Sequence, residues 1–254
     1  MEETPQSYDP KNSYTASLTD ILEYAFGIYK KTFGIITLVM LMVSILGVLF
    51  YFLLFPVIFG ISLNDFFSLA GSNPESMELM LNNNKTFINS LLVGLLFATL
   101  LAPIQAGIMS ICQKAGRGEI FGMGEVFSFY GSKYFGKIVS VTLLISLVSG
   151  LISWLLQMTG LNFLNFFFSA FINLFTVLSI PLIIFKEQNV NESITNSIIA
   201  VRQRFLITLG SVLIGTICAF IGIFLCGIGI LFTIPFLYAV YYSVYHHIID
   251  LEKQ

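Results

Sequence analysis

The chain has 254 residues, of which 56% are hydrophobic and only 10% charged, against roughly 25% charged in an ordinary soluble domain. A water-soluble surface needs charges along its whole length, yet the stretches 138–185 and 205–249 contain no Lys, Arg, Asp or Glu. A net charge of −2 with no basic cluster excludes a nucleic-acid partner. The expected surroundings are a lipid bilayer.

Residues 1–17 are polar, with Pro5, Pro10, Glu2, Glu3 and Asp9, and read as a disordered tail without the basic-then-apolar pattern of a cleavable signal peptide. Residues 18–250 follow as a single transmembrane domain. Six uncharged apolar windows, 33–62, 87–112, 138–158, 164–185, 205–225 and 228–249, each reach the roughly 20 residues of a crossing. Backbone polar groups in lipid must be satisfied within the segment, so the windows are helices and the fold is an all-α polytopic bundle. The first window would extend about 45 Å as one straight helix, so it tilts or breaks near Pro56.

Short uncharged links at 159–163 and 226–227 make tight antiparallel hairpins. The segment 63–86 reads as a longer loop with Asp65, Glu75, Glu78 and Lys85. In a six-span arrangement every other Lys and Arg (Lys11, Lys30, Lys31, Lys114, Arg117, Lys133, Lys137, Lys186, Arg202, Arg204 and Lys253) falls on one side. Basic flanks resist translocation, which puts that side and both termini in the cytoplasm.

An amphipathic segment precedes the first, third and fifth windows: Leu18, Ile21, Leu22, Ala25 and Tyr29; Met123, Val126, Phe127, Tyr130 and Tyr134; Val190, Ile194, Ile198 and Val201. Each keeps the helical period and runs into basic residues, the pattern of a helix that lies in the membrane interface or packs under the bundle. The second helix of each hairpin carries a proline, Pro103, Pro181 or Pro235, which kinks it. The chain thus divides into three similar units, about 18–112, 120–185 and 190–249, each an interfacial helix followed by a kinked hairpin.

The run Pro181-Leu-Ile-Ile-Phe-Lys-Glu187, then Asn191-Glu-Ser-Ile194, Ser197 and Arg202-Gln-Arg-Phe205 before an apolar window, resembles a broad group of bacterial six-span membrane families of unknown function. Gly118-Glu119 followed by Glu125-Val-Phe-Ser-Phe-Tyr130 is similar to the loop entering their third span, and the membrane domain attached to some glycerophosphodiester phosphodiesterases looks alike. The resemblance covers roughly 18–249. It implies a fold and a bacterial cytoplasmic membrane, and no reaction, because the soluble phosphodiesterase barrel has no counterpart here.

No constellation for catalysis, cofactor or metal emerges. His246 and His247 are adjacent, so their side chains point about 100° apart on a helix and read as a polar span end. Cys112, Cys218 and Cys226 lie in apolar segments and read as small apolar residues. The spans hold neutral polar groups: Asn89, Gln105, Gln157 and Asn173, with Thr99, Ser146, Ser149, Ser153, Thr208, Ser211 and Thr216. These read first as hydrogen-bonding glue between helices and second as the lining of a substrate path. Ser211, Gly215, Ala219, Gly222 and Cys226 form a small-residue face for helix packing, inside the bundle or across a homodimer seam. The run 163–171, with Phe166, Phe167 and Phe168, and the tyrosines Tyr238, Tyr241, Tyr242 and Tyr245 read as interfacial aromatic belts. The expectation is a non-enzymatic protein that organises membrane, lipid or partner proteins; the alternative is a transporter of a small solute or lipid.

Overall fold

A computed structural model describes residues 17–72, 74–81, 83–224 and 229–251. The tail before residue 17, the link at 226–227 with Cys226, and Lys253 lie outside the described residues. The described residues are helical throughout, without a strand.

Helix α1 (Leu18–Phe59) opens on a capping box between Ser17 and Asp20 and closes on Gly60 at φ 74°. Its 42 residues make a rod of about 63 Å, unbroken through Pro56, which lies in the last turn. The first amphipathic segment is therefore no separate interfacial helix. Its buried face of Ile21, Ala25 and Ile28 continues as Thr32, Ile36 and Val39 at helical spacing, and nothing between Tyr29 and Gly34 breaks the backbone.

The segment expected as a loop forms two helices, α2 (Leu63–Ser72) and α3 (Pro74–Leu81). Ser62 Oγ accepts from the Asp65 N–H and donates to its carboxylate, starting α2, while the Phe66 ring packs on Phe55 and Phe59. Helix α4 (Asn84–Arg117) runs from an Asn83 cap to Gly118 at φ 72°. The second amphipathic segment is reduced to the four residues of α5 (Gly124–Phe127) and one 3-10 turn; Gly118, Gly122, Gly124 and Gly131 prevent anything longer. Then come α6 (Phe135–Met158), α7 (Asn165–Thr176) and α8 (Ser179–Lys186). The third amphipathic segment is a true helix, α9 (Val190–Gln203), bent by 98° at Arg204 from α10 (Phe205–Ile221). Last is α11 (Ile230–Tyr245).

Four stretches are long and apolar enough to cross a bilayer: α1, α4, α6 and the run Asn162–Lys186, with the bent pair α9 and α10 a fifth. Taken alone, α10 and α11 have 17 and 16 residues, short of the roughly 20 of a crossing. They pack on each other through small residues. A Cβ on Gly215 would stand 3.1 Å from Leu237, one on Gly222 would meet the Gly229 backbone, and Thr233 donates to the Ala219 carbonyl. The small-residue face of α10 is thus occupied by α11.

The core gathers at the end of the bundle where the basic residues lie. Lys31 donates to the Ala115 carbonyl, and Lys114 pairs with Glu125, Lys133 with Glu187 and Lys186 with Asp250. Buried residues cluster there: Ile21 to Met40 of α1, Ala102 to Ala115 of α4, Leu178 to Ile184, and Ala239 to Ile248. Toward the other end Leu49 and Leu53 of α1, Leu92 and Leu96 of α4, and Leu151 and Leu155 of α6 are exposed. This is the apolar surface that lipid covers in a membrane-embedded protein.

Each proline removes the donor for the carbonyl four residues earlier, at Thr99, Val177 and Leu231. Side chains from the amphipathic segments bond backbone groups near these prolines, though not those three carbonyls, in rotation. The Tyr130 hydroxyl, after α5, donates to Leu100 O of α4 at 2.5 Å. Ser197 of α9 fills the break between α7 and α8, donating to Phe175 O at 2.7 Å and accepting from Leu178 N at 3.2 Å. The Tyr29 hydroxyl of α1 donates to Phe232 O of α11 at 3.2 Å. Gly107 admits α5 to α4, because a Cβ there would overlap the Val126 backbone.

Ser197→Ala leaves the buried Leu178 N–H unmet and should cost about 1–3 kcal/mol. Gly107→Leu should push α5 off α4. Both are expected to lower the thermal midpoint in detergent, read by circular dichroism, while Ile120→Ala, at a residue 97% exposed, leaves it unchanged.

Candidate functional site

Helices α4, α6, α7, α8 and α11 line a partly open central cavity of about 470 Å³, within the usual range of ligand pockets. Gln105 projects from α4, Thr142 and Ser146 from α6, Asn173 and Thr176 from α7, and Tyr238 and Tyr241 from α11. Met109, Ile180, Pro181 and Leu237 supply apolar wall.

A smaller cavity of about 260 Å³ adjoins it, sharing Ile145, Ser146 and Asn173 and adding Ser90, Ser149 and Ser153. On α6, Thr142, Ser146, Ser149 and Ser153 are spaced four, three and four apart, which makes one hydroxyl-bearing face. Ser153 donates to Asn165 Oδ1. Asn173 spends its amide nitrogen on Ser169 O, leaving its carboxamide oxygen as an acceptor. Thr176 donates to Ile172 O and keeps lone pairs to offer. The lining donates and accepts hydrogen bonds and carries no formal charge.

Of the neutral polar residues visible in the spans, Gln105, Ser146 and Asn173 meet in the central cavity, and Ser149 and Ser153 continue it. The rest do not join them. Asn89 donates to Val57 O near the end of α1, and Thr99, Ser211 and Thr216 bond carbonyls of their own helices. Gln157 Oε1 and Thr208 Oγ1 are buried without a partner among the described residues. Thr142 and Thr176 went unremarked in the sequence, although the period of the α6 hydroxyls marks Thr142. The tyrosine belt expected on the last helix turns inward: Tyr242 and Tyr245 are 2% and 0% exposed, and Tyr238 and Tyr241 line the cavity. The aromatic run of α7 does face outward, with Phe163, Phe166 and Phe167 exposed.

No family model, curated protein or solved structure matches the chain.

The titratable groups form a clamp at the basic end, beyond the apolar part of α11. A π-helical turn, His246–Asp250, continues that helix. Asp250 accepts from Lys186 at 2.7 Å, with His246 at 3.8 Å, and His246 stacks on Tyr24. Burial alone would raise the Asp250 pKa; the contacts with His246 and Lys186 outweigh it and bring the carboxyl to about 2. Nearby, Lys133 and Tyr134 both donate to the Glu187 carboxylate and lower its pKa, holding that residue at φ 55° at the end of α8.

A depressed carboxylate stabilises the fold above its unfolded pKa of about 3.9 and loses that contribution as pH falls through the folded value. Between about pH 4 and pH 2 the Asp250 contribution, on the order of 2 kcal/mol, should disappear. Thermal unfolding in detergent across this range should show the loss, and Asp250→Asn should flatten that pH dependence while lowering stability near neutrality.

Proposed function

We propose that this chain is a six-span, non-enzymatic protein of a bacterial cytoplasmic membrane, with both termini cytoplasmic, that carries a small uncharged solute or a lipid in its central cavity. The carrying observation is the lining itself, in which amides, hydroxyls and phenols from four helices converge without a formal charge. Such a surface replaces the hydration of a neutral polar molecule and offers nothing to offset the desolvation of an ion.

The rotation in which Tyr29, Tyr130 and Ser197 bond backbone groups near the prolines supports three units and hence six crossings. So does the continuation of α10 by three residues of 3-10 helix. Clustering of the basic residues at one end supports the orientation. The bacterial setting rests on the resemblance of the segments 118–130 and 181–205. An organising role in the membrane is the second reading, favoured by the exposed phenylalanines of α7.

With Cys112 and Cys218 replaced by Ser, Cys226 is the remaining thiol. A membrane-impermeant maleimide should label it from outside intact cells; labelling only after permeabilisation would make α10 and α11 a hairpin dipping in from the cytoplasm. Proteoliposomes challenged with glycerol, erythritol, urea and a monoacylglycerol should show saturable transfer of at least one above protein-free vesicles. Gln105→Leu and Asn173→Leu should each reduce that transfer about tenfold, the worth of about one hydrogen bond. A wholly inert panel would favour the organising role.

A further inference from the structure

A third hollow, of about 380 Å³, opens on the outside of the bundle between α6, α7 and α9. Leu144, Val148, Phe171, Phe175, Ile194 and Ile198 form its walls, and it presents no polar surface. Val148 and Phe171 are more than half exposed, so this surface meets lipid. What separates it from the polar interior is thin. Ile145 and Thr176 line both this hollow and the central cavity, and Ile172 lines both this hollow and the smaller polar cavity.

We infer that the hollow and the central cavity are two halves of one site for a lipid with an uncharged, hydrogen-bonding head, which enters sideways from the bilayer between α6 and α7. This rests on the reading of the central cavity as a carrier site and names its ligand class.

The division of labour follows from the solvent. In a bilayer an acyl chain gains little by moving from lipid into an apolar groove, because both surroundings are hydrocarbon. The groove therefore orients the chain and discriminates little. Retention comes from the head, which trades the wet interface for hydrogen bonds to Gln105, Asn173, Ser146 and Tyr238, and a polar group left unmet on moving out of water is costly. A phosphate or carboxylate head would shed its hydration there with no cation in the lining to answer it. The groove also has a fixed floor. Ser197 pins α9 into the α7–α8 break, and Ile194 and Ile198 lie one helical turn apart on that pinned helix, at the groove wall.

The test places the full chain in phosphatidylcholine nanodiscs with a diacylglycerol bearing a diazirine in one acyl chain. Photolysis should label residues 144–148 and 171–175. Unlabelled diacylglycerol should compete and phosphatidylglycerol should not. Val148→Trp fills the groove from an exposed position and should keep the thermal midpoint while lowering labelling about tenfold; Leu144→Trp serves as a second filling variant. Asn173→Leu should lower labelling similarly through the head. Labelling spread evenly over the exposed faces of α1 and α4, equal competition by phosphatidylglycerol, or labelling indifferent to both tryptophans overturns the inference. Glycerol transfer that is lost in Asn173→Leu and kept in Val148→Trp, without diacylglycerol labelling, overturns it and leaves the carrier reading intact. Absence of both signals removes both.

Discussion

A proline in an apolar helix strips one carbonyl of its donor, and within a bilayer there is no bulk water to replace it. Pro103, Pro181 and Pro235 repeat this deficit, and close to each a hydroxyl from another unit bonds the backbone, at Leu100, at Phe175 and Leu178, and at Phe232. Tyr130 must reach Leu100, so α5 has to sit on Gly107 where α4 has no side chain. Ser197 must reach the α7–α8 break, so α9 lies across the bundle rather than along it. Tyr29 must reach Phe232, so the start of α1 runs beside α11. The neutral polar side chains Gln105, Ser146 and Asn173 face a common cavity between these helices.

Placement of charge made the apolar windows legible, because a charged side chain inside lipid is expensive enough to be excluded almost everywhere. The prolines were legible for the same reason of backbone accounting. What happens around them was not. The third amphipathic segment was expected to turn Val190, Ile194, Ile198 and Val201 toward the acyl boundary or the underside of the bundle; Ile198 is 40% exposed, and the buried face includes two serines the apolar pattern did not mark, Ser193 and Ser197, beside Ala200 and Val201. Hydropathy ranks serine as the residue to leave outside, whereas a break in a buried helix needs a hydroxyl that both donates and accepts. The fusion of the first amphipathic segment into α1 was hidden too, since amphipathicity reports which face is covered and not where a helix stops.

The site was half legible. Gln105, Ser146 and Asn173 were visible as neutral polar residues in apolar windows, but nothing local says that positions from three helices share one level. That depends on how each helix is rotated and on how far it slides past its neighbours, which packing decides. Tyr238 and Tyr241 were misplaced for the same cause: an aromatic near a span end serves equally as an interfacial anchor or an inner wall. Only the proximity of α4, α7 and α11 turns those tyrosines inward.

The contacts that close the bundle join the two extremes of the described chain. Tyr29 and Phe232 are 203 positions apart, and Ser243 donates to Ile21 O across 222. During synthesis the first helix enters the membrane with one face matched to a partner that does not yet exist. That face must wait, in contact with lipid or with the insertion machinery, until α11 emerges. Closure of the bundle is therefore conditional on the last helix, and a chain interrupted after α8 would hold an unfilled break between α7 and α8 as well as an unclaimed stripe on α1. Both are filled only by contacts that the last third of the chain supplies.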